Sequence, residues 1–276
     1  MTTVKVTGAT RLYAIIGDPI AQVRSPEVFT DRFAAAGIGA VLIPAHVPVD
    51  RFDTVVPGLM QLGNLDGLLV TIPFKARMVS FASGLGPAAK CIGAVNALRR
   101  EADGSWTGDM FDGAGFVRAM ERKGALIHGR RVLLFGAGGA GSAIAYELAK
   151  AGVAAIAIAD PDVGRADALT QTLRDAFPSC DVAGSSNPMG ADMIVNASPV
   201  GMRMGDELPG DIGPLRADTL VGDVIVSDSP TPLIQHALRT GCTHVTGRDM
   251  HSGQVEALIG FFAPASAPLT TTQRVS

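Results

Sequence analysis

Cysteine is scarce in this chain, as are long apolar runs and clusters of basic residues, and each shortage removes a class of protein. The three cysteines, at 91, 180 and 242, are an odd and scattered set among 276 residues. No C-x-x-C occurs, and the five histidines (46, 128, 236, 244 and 251) lack metal-ligand spacing. No metal site is therefore expected, and the thiols read as ordinary buried or surface side chains. Apolar runs are short and broken by Gly or Pro, so no membrane span is expected. The net charge of −3 comes with no basic run, which argues against nucleic acid as a partner. The N-terminal MTTVKVTGATRLYAIIG carries little positive charge and no signal-peptide cleavage pattern, so the expected location is the cytoplasm. Internal repeats and low-complexity linkers are absent too.

What the chain does have is apolar mass and glycine. It is 47% hydrophobic and 18% charged, with 33 glycines, enough to bury sizeable cores across two domains of ordinary size. Residues 132–160, VLLFGAGGAGSAIAYELAKAGVAAIAIAD, organise the rest. An apolar run (132–135) reads as a buried strand and stops at Gly136. Gly136, Gly138 and Gly141 give the G-x-G-x-x-G spacing, a helix follows from Ser142 to Lys150, and a second apolar run (154–159) closes on Asp160, about 20 residues on. In such a unit Gly136 permits the tight turn, Gly138 lets the backbone approach a pyrophosphate, and Gly141 lets the helix pack on the strand. The helix N-terminus then holds the phosphates. Glycine-rich matches are cheap in this chain. Here, however, the spacing sits between strand and helix with the acid in place, which is the confirming context for a dinucleotide site.

In chain order, strands are expected at 12–16, 41–44, 67–72 and 93–99, with further strands at 193–196 and 219–226. Helices are expected from Ser25 to Gly37, with Ser25 as N-cap and Pro26 at N1. Others are expected over 49–62 (interrupted near Pro57), 78–83, 113–120, 165–176, 232–240 and 252–262. The tail beyond Ala263, rich in Pro, Thr and Ser, is expected to fray. Alternation of strands and helices implies α/β domains, each with a mostly parallel sheet.

A nicotinamide site needs a partner that binds substrate and moves a proton. Lys75 follows a strand end in the first domain and Asp112 opens the second, so both can face one cleft outside the carboxyl ends of strands. A lysine–aspartate pair suits alcohol–ketone chemistry. Taken alone, Lys75 also reads as a solvated loop lysine and Asp112 as a helix N-cap.

At GDPI…SP, VTIPFK, GAVNAL, GD…DG, GAGGAG, NASPVGM, TPLI and GRDMHSGQ, in this order, the chain resembles the shikimate/quinate dehydrogenase family from about Tyr13 to Phe262. The resemblance implies two domains: residues 1–111 plus 250–276 for substrate and catalysis, and a Rossmann-type unit, 112–249, for NAD(P). The C-terminal helix would return to the first domain. It implies Lys75 and Asp112 as catalytic residues and Ser25, Thr71, Asn96 and Gln254 as substrate-binding ones. Around the dinucleotide it implies Gly136, Ala137, Gly138, Gly139, Ala140, Gly141, Asp160, Asn196, Ala197, Ser198 and Gly247. The substrate would be a small cyclic hydroxy acid, the protein a monomer or homodimer.

Departures from the family pattern carry information of their own. Val23 stands where the family has a second serine in His-Ser-Lys-Ser-Pro, and Leu69, Phe111 and Val226 replace Asn, Thr and Tyr. Four polar positions are thus apolar, which suggests a changed ligand. Arg24 is the nearest residue able to pair a carboxylate. Where NADP-using members carry Asn-Arg-Thr, this chain has Asp160-Pro161-Asp162, so NAD is expected over NADP. A folate-type dehydrogenase of the same plan and a silent NAD-binding sensor are the rival readings. Asn96 and Gln254 argue against the first, Lys75 and Asp112 against the second.

Overall fold

The structure is a computed structural model and describes residues 5–188 and 190–263; the tail expected to fray lies outside them. The first sheet comprises β1 (Arg11–Gly17), β2 (Ala40–His46), β3 (Leu65–Val70), β4 (Gly84–Leu85), β5 (Ala97–Arg100) and β6 (Trp106–Asp109), in the order β2-β1-β3-β5-β6-β4. Only β5 runs against its neighbours, so the sheet is mostly parallel with one reversed strand. Helices α1 (Ser25–Ala35), α2 (Phe52–Met60) and α3 (Pro87–Ile92) belong to this half.

Three local readings need correction here. Helix α2 is not interrupted at Pro57; the irregularity lies before it, as a 3-10 turn over Val49–Arg51. The strand expected over 93–99 begins only at Ala97. Gly93 instead ends α3 in a left-handed conformation (φ 66°), with Pro87 at the helix start. That is the proline-first, glycine-last pattern of a short helix. The strand expected over 219–226 is confined to Leu220–Asp223.

The second sheet holds β7 (Arg131–Phe135), β8 (Ala155–Ala159), β9 (Asp181–Gly184), β10 (Met193–Asn196), β11 (Leu220–Asp223) and β12 (Thr243–Val245). All pairs are parallel, in the order β12-β11-β10-β7-β8-β9. Counted from β7 this is 3-2-1-4-5-6, the doubly wound order whose switch point lies between β7 and β10. Helices α4 (Asp112–Arg122), α5 (Gly139–Lys150), α6 (Val163–Ala176), α7 (Pro232–Thr240) and α8 (Gly247–Phe262) complete the chain. Because α8 starts at Gly247, the expected boundary at 249–250 falls inside one continuous helix.

Two apolar contacts tie the halves together. One buried cluster runs from Ala88, Ala94 and Met110 through α4 and α5 into the second sheet and includes Met250. Another joins Tyr13, Phe29 and Phe33 to Val255, Leu258 and Phe262 of α8, with the Tyr13 and Phe262 rings 5.0 Å apart. Helix α8 therefore returns to the first sheet.

Helix α4 is wedged between α5 and α8 by glycine contacts. A Cβ at Gly113 would lie 1.9 Å from the Ala143 carbonyl oxygen, and one at Gly253 would lie 2.2 Å from that of Gly115. Backbone meets backbone there, so neither side can yield without separating the helices. Gly253→Ala is expected to lose about 1–3 kcal/mol of stability. On the same helix, a Cβ at exposed Gly260 meets nothing within 4 Å, so Gly260→Ala should gain about 0.5–1 kcal/mol. Denaturant midpoints of the two variants check this; equal behaviour would remove the close helix crossing.

Candidate active site

A cleft of about 500 Å³ opens where the carboxyl ends of β1 and β3 meet the start of α4 and one face of α8. Beyond β3 the chain turns through Thr71 to Lys75. Fully buried Phe74, its ring 4.6 Å from Phe52, anchors this turn, and the Lys75 carbonyl accepts from the Val95 N–H at 3.0 Å. Backbone and anchor are thus fixed, and the Lys75 side chain is left to reach Asp112, donating from Nζ to Oδ2.

Asp112 is 5% exposed and sits in the first turn of α4. It does not cap the helix: Phe111 is the N-cap residue and no side chain caps there. Its Oδ1 accepts from Asn96 Nδ2 at 2.7 Å and from Gln254 Nε2. The orientation of Asn96 is settled by its other end, where Oδ1 accepts from the Phe111 N–H at 2.9 Å. One buried carboxylate thus gathers Lys75, Asn96 and Gln254 from three parts of the chain. A helix N-terminus favours that negative charge.

Ser25 and Thr71 line the same cleft. Ser25 is not the N-cap it was expected to be; Arg24 holds that place, with Ser25 the first residue of α1. Its hydroxyl lies 3.2 Å from Nε2 of His251. His251, unread as a site residue from the sequence, belongs to a stripe of α8 (Arg248, His251, Gln254, Leu258) whose three-to-four-residue spacing turns all four toward the cleft. The signal for this helix start was present. Thr246 and Asp249 form a capping box, the Thr246 N–H donating to Asp249 Oδ2 at 2.9 Å and the Asp249 N–H to Thr246 Oγ1 at 3.3 Å. Burial above all, then the charge of Arg24, push the His251 imidazole below its ordinary pKa, with Asp112 opposing.

Of the four apolar departures, Val23, Leu69 and Val226 line the cleft. Phe111 does not; its ring packs 5.0 Å from that of Phe261. Arg24 pairs with Glu27 on the exposed side of α1.

The glycine turn after β7 has the geometry its spacing implies. Gly136 has φ +100°, and a Cβ there would fall 2.8 Å from the Ala197 carbonyl carbon. One on Gly141 would fall 1.9 Å from the Gly136 oxygen, so α5 is pressed against the turn. Gly138, the N-cap of α5, meets nothing, which leaves that side open to a pyrophosphate. Gly139 and Ala140 open the helix, where the first N–H groups have no intrahelical partner. A Cβ on Gly139 would lie 3.7 Å from Lys75 Cδ, so the turn adjoins the Lys75–Asp112 pair.

Asp160 binds this turn to the next loop. Its Oδ2 accepts from the Ala137 N–H at 2.7 Å and Oδ1 from the Asp162 N–H at 2.9 Å, and each oxygen keeps capacity for another donor. Asn196, fully buried, folds the loop after β10: Oδ1 accepts from the Ser198 N–H at 3.1 Å and Oγ at 2.7 Å, and Nδ2 donates to the Val200 carbonyl at 2.9 Å. Behind it stands Asp223, also missed from the sequence. It accepts from Thr231 Oγ1 at 2.6 Å and the Ile225 N–H at 3.0 Å, and burial pushes its carboxyl pKa up. Gly247 packs rather than lines a cleft; a Cβ there would lie 2.4 Å from the Val224 oxygen. Gly136, Asp160, Asp167, Ser185 and Ser198 border a second cleft of about 410 Å³ with no basic residue among its described lining. The open Gly138 and this cleft fit a dinucleotide.

Residues 15–98 match the shikimate dehydrogenase substrate binding domain. A shikimate dehydrogenase (NADP(+)) of Rubrobacter xylanophilus is 37% identical over 257 residues, covering 91% of this chain and 89% of its own. Shikimate 5-dehydrogenase of Listeria monocytogenes, crystallised with shikimate and NAD, superposes with a TM-score of 0.86 at 28% identity, covering 95% of this chain and 94% of that one. Quinate dehydrogenase of Corynebacterium glutamicum, in complex with NAD, gives 0.82 at 29% identity over 92% and 94%. Likeness on this scale extends through both sheets and α8, and the chain belongs to the shikimate/quinate dehydrogenase family.

Proposed function

We propose that this dehydrogenase acts on a ring hydroxyl or ketone of a small cyclic hydroxy acid of the shikimate or quinate type. The first sheet, with the start of α4 and one face of α8, holds the acid, and the second sheet holds the dinucleotide. The observation that carries the reading is the Lys75–Asp112 pair beside Gly139, where the substrate cleft meets the glycine turn. When bound, the nicotinamide dinucleotide supplies or accepts the hydride. Lys75 Nζ gives a proton to the carbinol oxygen in reduction and takes it back in oxidation, while Asp112 holds the ammonium in place. With its Nε2 committed to Asp112, Gln254 keeps Oε1 to accept from a ring hydroxyl. Initial rates with shikimate, quinate and uncharged cyclic alcohols test the reading, and absence of turnover with all of them contradicts it. The apolar lining by Val23, Leu69 and Val226 favours a second reading, a less polar substrate, which turnover of the uncharged alcohols alone would support.

NAD is the proposed cofactor. Asp160 and Asp167 face the second cleft, so a 2′-phosphate would meet carboxylates and no guanidinium. The Rubrobacter relative bears an NADP(+) name, whereas the Listeria and Corynebacterium structures hold NAD. The expected kcat/KM ratio favours NAD by at least about tenfold, or about 1.4 kcal/mol. Equal or better use of NADP would sink this assignment.

A further inference from the structure

We propose that Asp223 is a positioning residue, a buried carboxylate that lines neither cleft but fixes the loops after β10 and β11, so that its loss costs turnover rather than cofactor affinity. This rests on the reading of the second cleft as the dinucleotide site. Asn196 and Asp223 are the last paired residues of β10 and β11, and they are 0% and 1% exposed. Asp223 is absent from the lining of both clefts. A carboxylate so deep is costly unless donors compensate it. No cation does so among the described residues; three neutral donors do instead. Asn196 Nδ2 reaches it at 3.3 Å, the Ile225 N–H at 3.0 Å and Thr231 Oγ1 at 2.6 Å. Burial pushes the carboxyl pKa up, and the three donors oppose it.

Each donor belongs to a different piece of chain. Asn196 ends β10, and the two ends of its amide shape the next loop through Ser198 and Val200. Ile225 lies in the loop after β11, which leads to Val226 on the substrate cleft. Thr231 caps α7, its Oγ1 accepting from the Ile234 N–H at 3.4 Å. The two loops also touch. Gly201 turns at φ +102°, and a Cβ there would lie 3.4 Å from Ile225 Cδ1 and 3.6 Å from Thr231 Cβ. Ala197 of the first loop lies against Gly136, and Ser198 and Val200 border the dinucleotide cleft. Asp223 therefore stands behind chain that serves both clefts. Asp160 follows β8, where an adenosine ribose belongs, and β10 and β11 lie on the other side of β7. The loops tied by Asp223 thus serve the nicotinamide half. Grip on the adenosine and pyrophosphate falls to Asp160 and the glycine turn, with which Asp223 shares no hydrogen bond. A reacting centre is less forgiving, since a misplacement of about 1 Å can cost about 10²-fold.

Three readouts on the full chain test this: the Kd of NADH by calorimetry, the emission of bound NADH, which reports how its nicotinamide is held, and kcat with shikimate or quinate. Wild type should brighten NADH on binding. Asp223→Ala strands all three donors, so kcat should fall by about 10–10²-fold and the emission should drop toward that of free NADH, at a Kd close to wild type. Asp223→Asn is isosteric: its Oδ1 still accepts from Ile225 and Asn196, and its Nδ2 can donate to Thr231 Oγ1. It should keep most of the rate and the emission. If the alanine variant does not fold, Thr231→Val and Thr231→Ser decide. Valine removes the bond to Asp223 and serine keeps it, so only valine should lose rate and emission. A Kd weakened in step with kcat, a folded asparagine variant as impaired as alanine, a wild type that binds NADH without brightening it, or folded alanine and valine variants with wild-type rate and emission each overturns the proposal. The emission series needs no turnover. An inactive wild type whose emission series behaves as expected supports the proposal while contradicting hydride transfer, so the two fail separately.

Discussion

Lys75→Met should lower kcat by about 10²–10⁴-fold, the usual worth of positioned acid–base help. Methionine keeps the unbranched stem through the turn anchored by Phe74 but removes the Nζ proton. Asp112 would keep its bonds from Asn96 and Gln254, so the start of α4 stays tethered to β5 and α8. NAD binding should survive, because the Gly136–Gly141 turn is left intact and methionine keeps the stem whose Cδ, in lysine, lies 3.7 Å from where a Cβ on Gly139 would stand. Steady-state rates together with a cofactor titration check both halves. Near-normal turnover would take Lys75 out of the mechanism; loss of NAD binding would make its role structural.

Asp112→Ala should be more damaging still, because the carboxylate holds Lys75, the proposed proton donor, and also gathers Asn96 and Gln254. Its removal leaves the Lys75 ammonium, 19% exposed as a side chain, without its anion and strands the donors of Asn96 and Gln254. Removing one member of a buried ion pair typically costs about 3–5 kcal/mol. The expected outcome is a large drop in thermal midpoint together with kcat reduced at least as far as in Lys75→Met. Asp112→Asn should restore much of the midpoint, since an amide oxygen can still accept from Asn96 and Gln254, but not the rate. A stable, inactive amide variant separates the two roles; an active one denies the carboxylate its catalytic part.

The legibility of this chain followed the range of the interactions. The dinucleotide half was readable because its signals are local: Gly136, Gly138 and Gly141 sit between a strand and a helix, and Gly141 presses on Gly136 within that stretch, whereas the packing of Gly136 on Ala197 was not visible in the spacing. Ser25 shows the opposite case. Ser-Pro-Glu reads locally as a cap, yet its hydroxyl goes to His251, 226 residues away, and Arg24 takes the cap position. Phe111 stands at a family polar position, but the ring of Phe261 on α8 draws it out of the cleft. The reversed strand β5 and the short α3 were obscured because a continuous apolar reading of 93–99 hid the left-handed Gly93 that separates them. His251 lay within reach, since the Thr246–Asp249 capping box fixes the start of α8 and hence the face that Gln254 and His251 share.

The most direct measurement is the initial rate of NAD reduction with shikimate and with quinate, wild type and Lys75→Met side by side under saturating NAD. Expected is turnover by the wild type with at least one of the two acids, reduced by about 10²-fold or more in the variant. No turnover by the wild type with either acid, or equal rates in both proteins, would contradict hydride transfer at the Lys75–Asp112 site.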